Sequence, residues 1–274
     1  MRLGLGLKAN NSNKLARIPV KAPLQIDVVM LTKNSQHLLS KCLTAVYQNV
    51  PIKNLIVIDG YSTDRTLEIL AQFSRKYDNV QLYQIEGTRA KARTEGIRKV
   101  TTEWFMFVDS DALLCADWFK KAAADLSDGL GAVWGLNVDL LPNVRNKRIL
   151  KMQMMVAKRC FTLRGGMHDT LILRKAVEGI DIPEELHLYE DAYIVRWIER
   201  HGYRVMVGRS VYCLHDKAPD NWSLKNGLAQ AITELRCCLV YSHLYQYVMF
   251  YPFFFVYWGL QLPLNGFRNG LHKK

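Results

Sequence analysis

The chain has 274 residues, of which 49% are hydrophobic and 23% charged, and this balance excludes a disordered, collagen-like or low-complexity protein. Lys and Arg outnumber Asp and Glu by 37 to 25, a net charge of +12, which favours anionic partners such as a phosphorylated substrate, an acidic membrane surface or nucleic acid. The six cysteines are scattered without a Cys-x-x-Cys pair, so we expect neither a disulfide framework nor a zinc ribbon, and a reducing, intracellular compartment.

Residues 1–24 predict a basic N-terminal tail. They contain five Lys and Arg, no acid, and no apolar run of the length that a signal peptide needs. Two interpretations stay open: a solvated, partly disordered tail, or a polybasic segment that contacts anionic lipid.

Strand and helix patterns alternate through the first half of the chain. Buried strands are predicted over 26–31, 55–59, 80–85 and 104–109, and helices after Asn34 or Ser35, after Ser62 or Thr63, and over 89–99. Strands that are apolar on both faces and alternate with helices predict an α/β fold with a mostly parallel sheet covered on both sides.

The second half of the chain is less regular. Strands are predicted over 132–138, 170–173, 204–207 and 211–214, and helices over 147–164 and 190–201, the last ended by Gly202. A further helical segment is predicted from residue 222 onward, into the aromatic tail.

Polar side chains follow three of the predicted strands: Thr32 to Asn34, then Asp59, then Asp109 to Asp111. Because ligands bind at the carboxyl ends of strands in such sheets, we expect these three clusters to converge on one edge.

The pair Asp109 and Asp111 offers the oxygen ligands that hard divalent cations prefer; alternatively, Asp109 caps the next helix and Asp111 is solvated. Asp59 could hydrogen-bond a base or ribose, or belong to an ordinary strand–turn–helix connection.

Glu190 and Asp191 begin a predicted helix, where acids suit the helix dipole or could supply a general base. His215 is a structural residue or a metal ligand together with Asp111. Gly165 and Gly166 form a turn or let the backbone approach a substrate closely.

The order of these motifs resembles the family 2 inverting glycosyltransferases of the GT-A fold, over about residues 26 to 215. The segments that carry the resemblance are VVMLTKN, IDGYSTDRTLEIL, GTRAKARTEGIRKVTTEWFMFVDSD, RGGMHDTLILRKAVEGI, YEDAYIVRWIERHGYRV and CLHD. The resemblance implies a Rossmann-like GT-A domain over 25–220. Gly60 stands where a second Asp is common in the family.

The resemblance also implies the roles of the site residues. A nucleotide-sugar donor, UDP-linked in preference to GDP-linked, would be bound by Thr32, Asn34, Asp59, Arg89, Lys91, Arg93 and Asp109. A Mn²⁺ or Mg²⁺ ion would be held by Asp109, Asp111 and His215. Asp191 would be the catalytic base, with Glu190, Gly165 and Gly166 on the acceptor side. Since the chain has no Q-x-x-R-W signature of processive synthases, we expect transfer of one sugar to a hydroxyl or phosphate acceptor.

Residues 221–274 predict a helical, aromatic segment. The 31 residues between Arg236 and Arg268 contain eleven aromatic residues and no Asp, Glu, Lys or Arg. Three interpretations stay open: a segment in the membrane interface, a buried helix pair or homo-oligomer interface, and a true membrane span. The first would suit a lipid-linked or glycan acceptor on the cytoplasmic face of a membrane.

Three rival functions are weighed against this interpretation. No Gly-x-Gly-x-x-Gly follows the first strand, which argues against a dinucleotide-dependent dehydrogenase. No RNP, zinc or helix-turn-helix pattern supports a nucleic-acid partner. A catalytically silent, membrane-bound scaffold with the same fold remains the alternative.

Overall fold

The computed structural model describes residues 25–139, 166–186 and 189–215, together with Ile232. Eight strands in these ranges form one sheet: β1 Ile26–Thr32, β2 Ile52–Asp59, β3 Val80–Gln84, β4 Trp104–Asp109, β5 Ala112–Leu114, β6 Leu130–Asp139, β7 Asp169–Leu173 and β8 Arg204–His215. The helices are α1 Leu39–Asn49, α2 Thr66–Lys76, α3 Arg89–Lys99, α4 Trp118–Ala123 and α5 Glu190–Arg200, with a 3₁₀ turn over Arg174–Val177.

The sheet has the strand order β3-β2-β1-β4-β7-β6-β8-β5. The first four of these strands are parallel to one another, as the sequence predicts. β7 is antiparallel to both β4 and β6, whereas β6 and β8 are parallel and β5 is antiparallel to β8. Because β7 begins beside the end of β4, the residues that precede β7 reach the same edge as the end of β4.

Both faces of the sheet are buried, because each central strand is apolar on both sides. On β1, Val28 and Met30 join a core with residues of α1, α2 and α4, whereas Val29 joins a second core with residues of α3 and α5. Helices therefore cover both faces, and each fully buried aliphatic side chain contributes about 1.5–3 kcal/mol.

The predicted boundaries are confirmed for β4 and α3, which begin and end at the predicted residues. Gly202 has the left-handed backbone (φ 83°) expected beyond the end of α5. Residues 204–215 form one strand instead of the predicted two, with a register shift within its pairing to β6. β5 and α4 were not predicted from the sequence.

The two predicted helix caps are wrong. α1 begins after Leu38 and α2 after Arg65, neither of which makes a side-chain cap hydrogen bond. The side chains of Asn34 and Ser62 instead join the loops that follow β1 and β2 to each other. Tertiary contacts thus use the polar groups that the sequence assigns to the helix ends.

Several predicted segments lie outside the described residues. They are the basic tail, the helix over 147–164, and the aromatic segment apart from Ile232. Within the described ranges, no helix combines the length and the apolar character needed to span a membrane.

Candidate active site

The register of the parallel strands brings the predicted polar clusters together. Thr32 at the end of β1 pairs with Asp59 at the end of β2, and Leu31 pairs with Asp109 at the end of β4. The expected convergence at one edge of the sheet is therefore confirmed.

Asp59 is fully buried and organises the loop beside it. One carboxylate oxygen accepts hydrogen bonds from the hydroxyls of Thr32 (2.8 Å) and Ser62 (2.6 Å), and the other accepts from the backbone N–H of Ser62 (2.9 Å) and the amide of Gln84 (3.4 Å). Burial tends to raise the pKa of Asp59, but the hydrogen bonds from Ser62, Thr32 and Gln84 hold it below its ordinary value. The carboxylate is thus kept ionised and fixed in place.

Asn34 connects the same two loops from an exposed, left-handed position (φ 51°). Its backbone N–H donates to the Ser62 hydroxyl (2.9 Å), and its side-chain oxygen accepts from the backbone N–H of Thr63 (2.9 Å). Tyr61, which precedes Ser62 in the loop after β2, also has a left-handed backbone (φ 57°) and is 55% exposed. The sequence analysis did not single out this aromatic side chain.

Asp109 and Asp111 flank the short link between β4 and β5. The Asp109 side chain is 34% exposed and Asp111 is exposed, while the hydroxyl of the intervening Ser110 lies 2.8 Å from that of Ser35. Two solvent-accessible carboxylates at a strand end are the oxygen donors that Mn²⁺ and Mg²⁺ accept, so the donor chemistry fits such an ion.

Arg93 lies between the two acidic motifs, with only 6% of its side chain exposed. Its Nη2 donates to Asp109 (3.2 Å), its Nε donates to Glu190 (3.4 Å), and its guanidinium lies 4.8 Å from the centroid of the Phe107 ring. The resemblance implies a nucleotide contact for Arg93, but the described contacts of its guanidinium are internal. It joins the end of β4 to the start of α5.

The start of α5 presents Glu190 and Asp191 beside this arginine. Glu190 is buried, and burial raises its pKa; Asp191 raises it further, whereas Arg93 and Arg89 oppose the rise. Asp191 is half-buried, and its carboxylate accepts the backbone N–H of Ala192 (2.7 Å). Asp191 is thus the more accessible of the two acids.

Arg89 and Lys91 lie in the first turn of α3, which Thr88 caps by accepting the backbone N–H of Lys91 (3.3 Å). Arg89 is exposed and Lys91 half-buried, and the effect of Arg89 on the pKa of Glu190 places it near the acidic pair. Arg89 stands one helical turn before Arg93 and so is on the site's side of α3, whereas the predicted role of Lys91 stays a prediction.

His168 and Asp169, which lie just before and at the start of β7, were not among the predicted site residues. The backbone N–H of Asp109 donates to the carbonyl of His168 (3.1 Å), so this pair adjoins the end of β4. The two residues directly precede the strand predicted over 170–173, in a segment that resembles the acceptor-side loop of the family. Their position shortly after Gly165 and Gly166, with only Met167 between, is the sequence signal that could have indicated them.

Two predicted residues are described only in part or not at all. Gly165 lies outside the described residues, and only the backbone of His215 is described, paired with Ala112 of β5. Gly166 is buried, and its carbonyl accepts the hydroxyl of Thr170. The predicted roles of His215 and Gly165 stay predictions.

With this geometry established, the chain can be compared with known proteins. The sequence model of glycosyl transferase family 2 matches residues 27–171, just over half of the chain. The chain therefore belongs to glycosyl transferase family 2, as the resemblance of its motifs indicated.

Two sequence relatives illustrate the match. The poly(ribitol-phosphate) beta-glucosyltransferase of Bacillus spizizenii is 32% identical over 125 residues, which are 42% of this chain and 20% of that protein. The poly(ribitol-phosphate) beta-N-acetylglucosaminyltransferase TarS of Staphylococcus aureus is 29% identical over 210 residues, 71% of this chain and 35% of that protein. The chain thus spans only a part of either relative.

Two solved structures share the fold. The mannosyltransferase PcManGT of Pyrobaculum calidifontis, solved with GDP-Man and Mn²⁺, has a TM-score of 0.60 at 20% identity, over 85% of this chain and 65% of that one. Residues 1–349 of S. aureus TarS, solved with UDP, have a TM-score of 0.56 at 21% identity, over 71% of this chain and 61% of that one. The predicted GT-A fold is confirmed.

Proposed function

We propose that this protein transfers one sugar from a nucleotide-diphosphate sugar to an acceptor hydroxyl or phosphate, with inversion at the anomeric carbon. One observation carries the proposal: Arg93 holds Asp109, at the end of the nucleotide-side strand β4, against Glu190 and the start of α5. The carboxylates of Asp109 and Asp111, which suit a metal ion and a diphosphate, thereby adjoin α5, the helix that carries the accessible acid Asp191.

UDP is the favoured nucleotide and GDP the second candidate. TarS was solved with UDP and PcManGT with GDP-Man, and these two bases therefore mark the range to test. Thr32, Asn34 and Asp59 would bind or shape the nucleoside side, with Arg89 and Lys91 supplying positive charge for the phosphates.

Each of this chain's acids would have a separate task. Asp191 removes the proton of an acceptor hydroxyl, whose oxygen then forms a bond to the anomeric carbon as the bond to the diphosphate oxygen breaks. A Mn²⁺ or Mg²⁺ ion held by Asp109, Asp111 and His215 would supply charge that stabilises the departing nucleoside diphosphate. Glu190, buried against Arg93, would keep Asp191 in position on the acceptor side with Gly165 and Gly166.

The acceptor is proposed to be lipid-linked or a glycan. The net charge of +12 and the eleven aromatic residues between Arg236 and Arg268 support a membrane surface as the place of the reaction, on its cytoplasmic face. A homo-oligomer contact is the other proposed use of that segment.

The first test is thermal unfolding with UDP, GDP and their sugar derivatives, in the presence of Mn²⁺, Mg²⁺ or EDTA. A ligand that binds the native state stabilises it by mass action, by about 2.7 kcal/mol at a hundredfold excess over Kd, and so raises Tm. We expect one nucleotide to raise Tm, and to do so only when the metal is present. Asp111→Ala should lose this rise, whereas Asp191→Asn should keep it and lose turnover.

These two variants make a matched pair, because both remove one carboxylate from an accessible position of the same site. A wild-type protein that responds to no nucleotide would contradict the proposal and favour a silent scaffold with the same fold. Full turnover in Asp191→Asn would instead remove only the assignment of the base.

A further inference from the structure

His168 and Asp169 form a buried pair that the proposed reaction has not used. Asp169 is completely buried, and its two carboxylate oxygens have different partners: one accepts the indole N–H of Trp118 (2.8 Å), and the other is hydrogen-bonded to Nδ1 of His168. A buried carboxylate with a donor on each oxygen fixes the orientation of the imidazole that it contacts.

The chain makes room for this pair with two glycines. A Cβ atom at Gly135 of β6 would collide with the carboxylate of Asp169, and one at Gly166 would collide with Nε2 of His168. Nε2 therefore lies against the backbone that the sequence assigns to the acceptor side. Both positions require glycine for space, since neither has a left-handed φ.

His168 lies beside Asp109 at the end of β4, and its imidazole lies against Gly166 in the loop before β7. The carbonyl of His168 accepts the backbone N–H of Asp109 (3.1 Å), and the His168 side chain is 14% exposed. Burial tends to lower the pKa of His168, but the carboxylates of Asp169, Asp109 and Asp191 together raise it above its ordinary value.

In the proposed reaction, the transferred sugar would lie beside this position. The sugar must lie between its diphosphate, on the side of Asp109 and Asp111, and the acceptor oxygen, beside Asp191. We propose that Nε2 of His168 hydrogen-bonds a hydroxyl of the transferred sugar, with Asp169 and Trp118 positioning the ring. The inference rests on the proposed function and adds a residue that selects the sugar.

The contact does not depend on the protonation of Nε2. A sugar hydroxyl both donates and accepts, so it can pair with either form of the imidazole nitrogen. Loss of such a contact reduces affinity for the sugar and leaves affinity for the nucleotide unchanged, which separates this role from a phosphate or metal contact.

Cys213 offers a different use for the same cluster. Its Sγ lies 3.4 Å from Nδ1 of His168, and the ligand atoms of His168, Asp169 and Cys213 lie within 4.8 Å of one another. A metal on Nδ1 would have to displace the hydrogen bond to Asp169. The sugar contact leaves that bond in place, and metal binding is one outcome of the test.

The experiment compares two substitutions that each keep one half of the imidazole. His168→Asn retains a nitrogen near the Nδ1 position, facing Asp169, and His168→Gln retains one near Nε2. His201→Asn is the control, since His201 is exposed, stacks on Trp197 and accepts or donates only to the backbone of that residue among its described contacts. The ligands are UDP, UDP-glucose, UDP-N-acetylglucosamine, GDP and GDP-mannose, titrated calorimetrically with Mn²⁺.

For the nucleotide sugar that the wild type binds most tightly, His168→Asn should weaken binding about tenfold, which corresponds to about 1.4 kcal/mol. Its affinity for the parent nucleoside diphosphate should stay within about twofold, His168→Gln should lose less, and His201→Asn should lose nothing. Equal losses for the sugar and the bare nucleotide, or no loss for either, would overturn the assignment.

A second measurement uses the wild-type chain and so does not depend on how the variants fold. The ¹³Cε1–¹H signal of His168, assigned by its absence in His168→Gln, should shift with the nucleotide sugar and stay in place with the nucleotide alone. Binding of one Zn²⁺ by the wild type but not by Cys213→Ser would also overturn the proposal. A wild type that binds no nucleotide sugar would refute the proposed function itself, which is a distinguishable result.

Discussion

Two buried carboxylates, at opposite ends of adjacent strands, show how single residues fix this fold. Asp59 organises the loop at the carboxyl edge of the sheet, and Asp27, also fully buried, does so at the other edge. One oxygen of Asp27 accepts the backbone N–H groups of Thr101 (2.6 Å) and Thr102 (3.0 Å), and the other accepts the amide of Asn54 (2.8 Å). Both carboxylates therefore have a structural role, and Asp59 in addition adjoins the candidate site.

Asp27→Asn should lower the stability of the fold by about 2 kcal/mol at neutral pH, because hydrogen bonds to an ionised acceptor are the strong ones. For a domain of this size that is about 5 °C in Tm. Scanning calorimetry of both proteins measures it. Asp181→Asn is the matched control, since the Asp181 side chain is 83% exposed and should change Tm little.

The same pair of proteins tests the pH dependence. Burial tends to raise the pKa of Asp27, but hydrogen bonds from Thr101, Asn54 and Thr102 hold it below its ordinary value of 3.8. A carboxyl whose pKa is lower in the folded state stabilises that state above its unfolded pKa and loses this effect as pH falls through the folded pKa. The gap in Tm between wild type and Asp27→Asn should therefore narrow as pH falls below 3.8 and through the lower folded pKa. A gap that stays constant would contradict the assignment.

At the residue scale, a site residue could be predicted from the sequence only where the pattern that marks it lies in neighbouring residues. Asp109 and Asp111 were visible because two acids follow a buried strand, and Asp191 because it opens an amphipathic helix. The partners of Arg93 were not visible, since they lie 16 and 97 residues away along the chain. Likewise, nothing in the sequence around His168 indicates the indole of Trp118.

At the scale of elements, a helix start was predicted correctly where the capping side chain bonds to its own helix. It was predicted wrongly where that side chain bonds to a distant loop. α3 has its own cap, Thr88, and begins and ends at the predicted residues. The caps predicted for α1 and α2 failed because Asn34 and Ser62 bond across to each other's loops. At this edge of the sheet, the polar side chains of Asn34 and Ser62 form hydrogen bonds between loops and do not cap the helices that follow.

Arg93→Met should uncouple α3, β4 and α5. Methionine keeps the packing on Phe107 but removes the cation beside Asp109 and Glu190, and breaking a buried pair from one side costs about 3–5 kcal/mol. We expect a lower Tm and reduced turnover. Arg98→Met is the control on the same helix, since Arg98 is 58% exposed and pairs with Glu95 and Asp181.

A double variant sharpens this test. Arg93→Met with Glu190→Gln removes the buried charge that the single variant leaves unbalanced, so Tm should partly recover while turnover stays low. A double variant no more stable than Arg93→Met would show that the Arg93–Glu190 contact does not couple the two elements.

At the scale of the whole molecule, the alternation of strands and helices predicted the parallel half of the sheet. The reversal at β7 was not predictable, because a strand of five residues has the same apolar pattern in either direction. That reversal is what brings His168 to the end of β4, so the part of the sheet that the sequence left undetermined holds the residue proposed to select the sugar.

Membrane attachment is the prediction that belongs to the whole chain. The full chain should float with vesicles that contain phosphatidylglycerol, and a chain truncated after Arg236 should float much less, because the aromatic segment is removed. Neutral phosphatidylcholine vesicles separate the apolar from the electrostatic share of binding. Equal flotation of both chains would contradict attachment through this segment.

The two contacts of Arg93 also impose an order on events during synthesis. Asp109 follows Arg93 by 16 residues and Glu190 follows it by 97, and chains grow at about 5–20 residues per second. Asp109 is therefore synthesised within a few seconds of Arg93, whereas Glu190 is synthesised about 5–20 s after it. A ribosome stalled in that interval would carry β1 to β4, with the residues proposed to bind the donor, before the residues of α5 are synthesised.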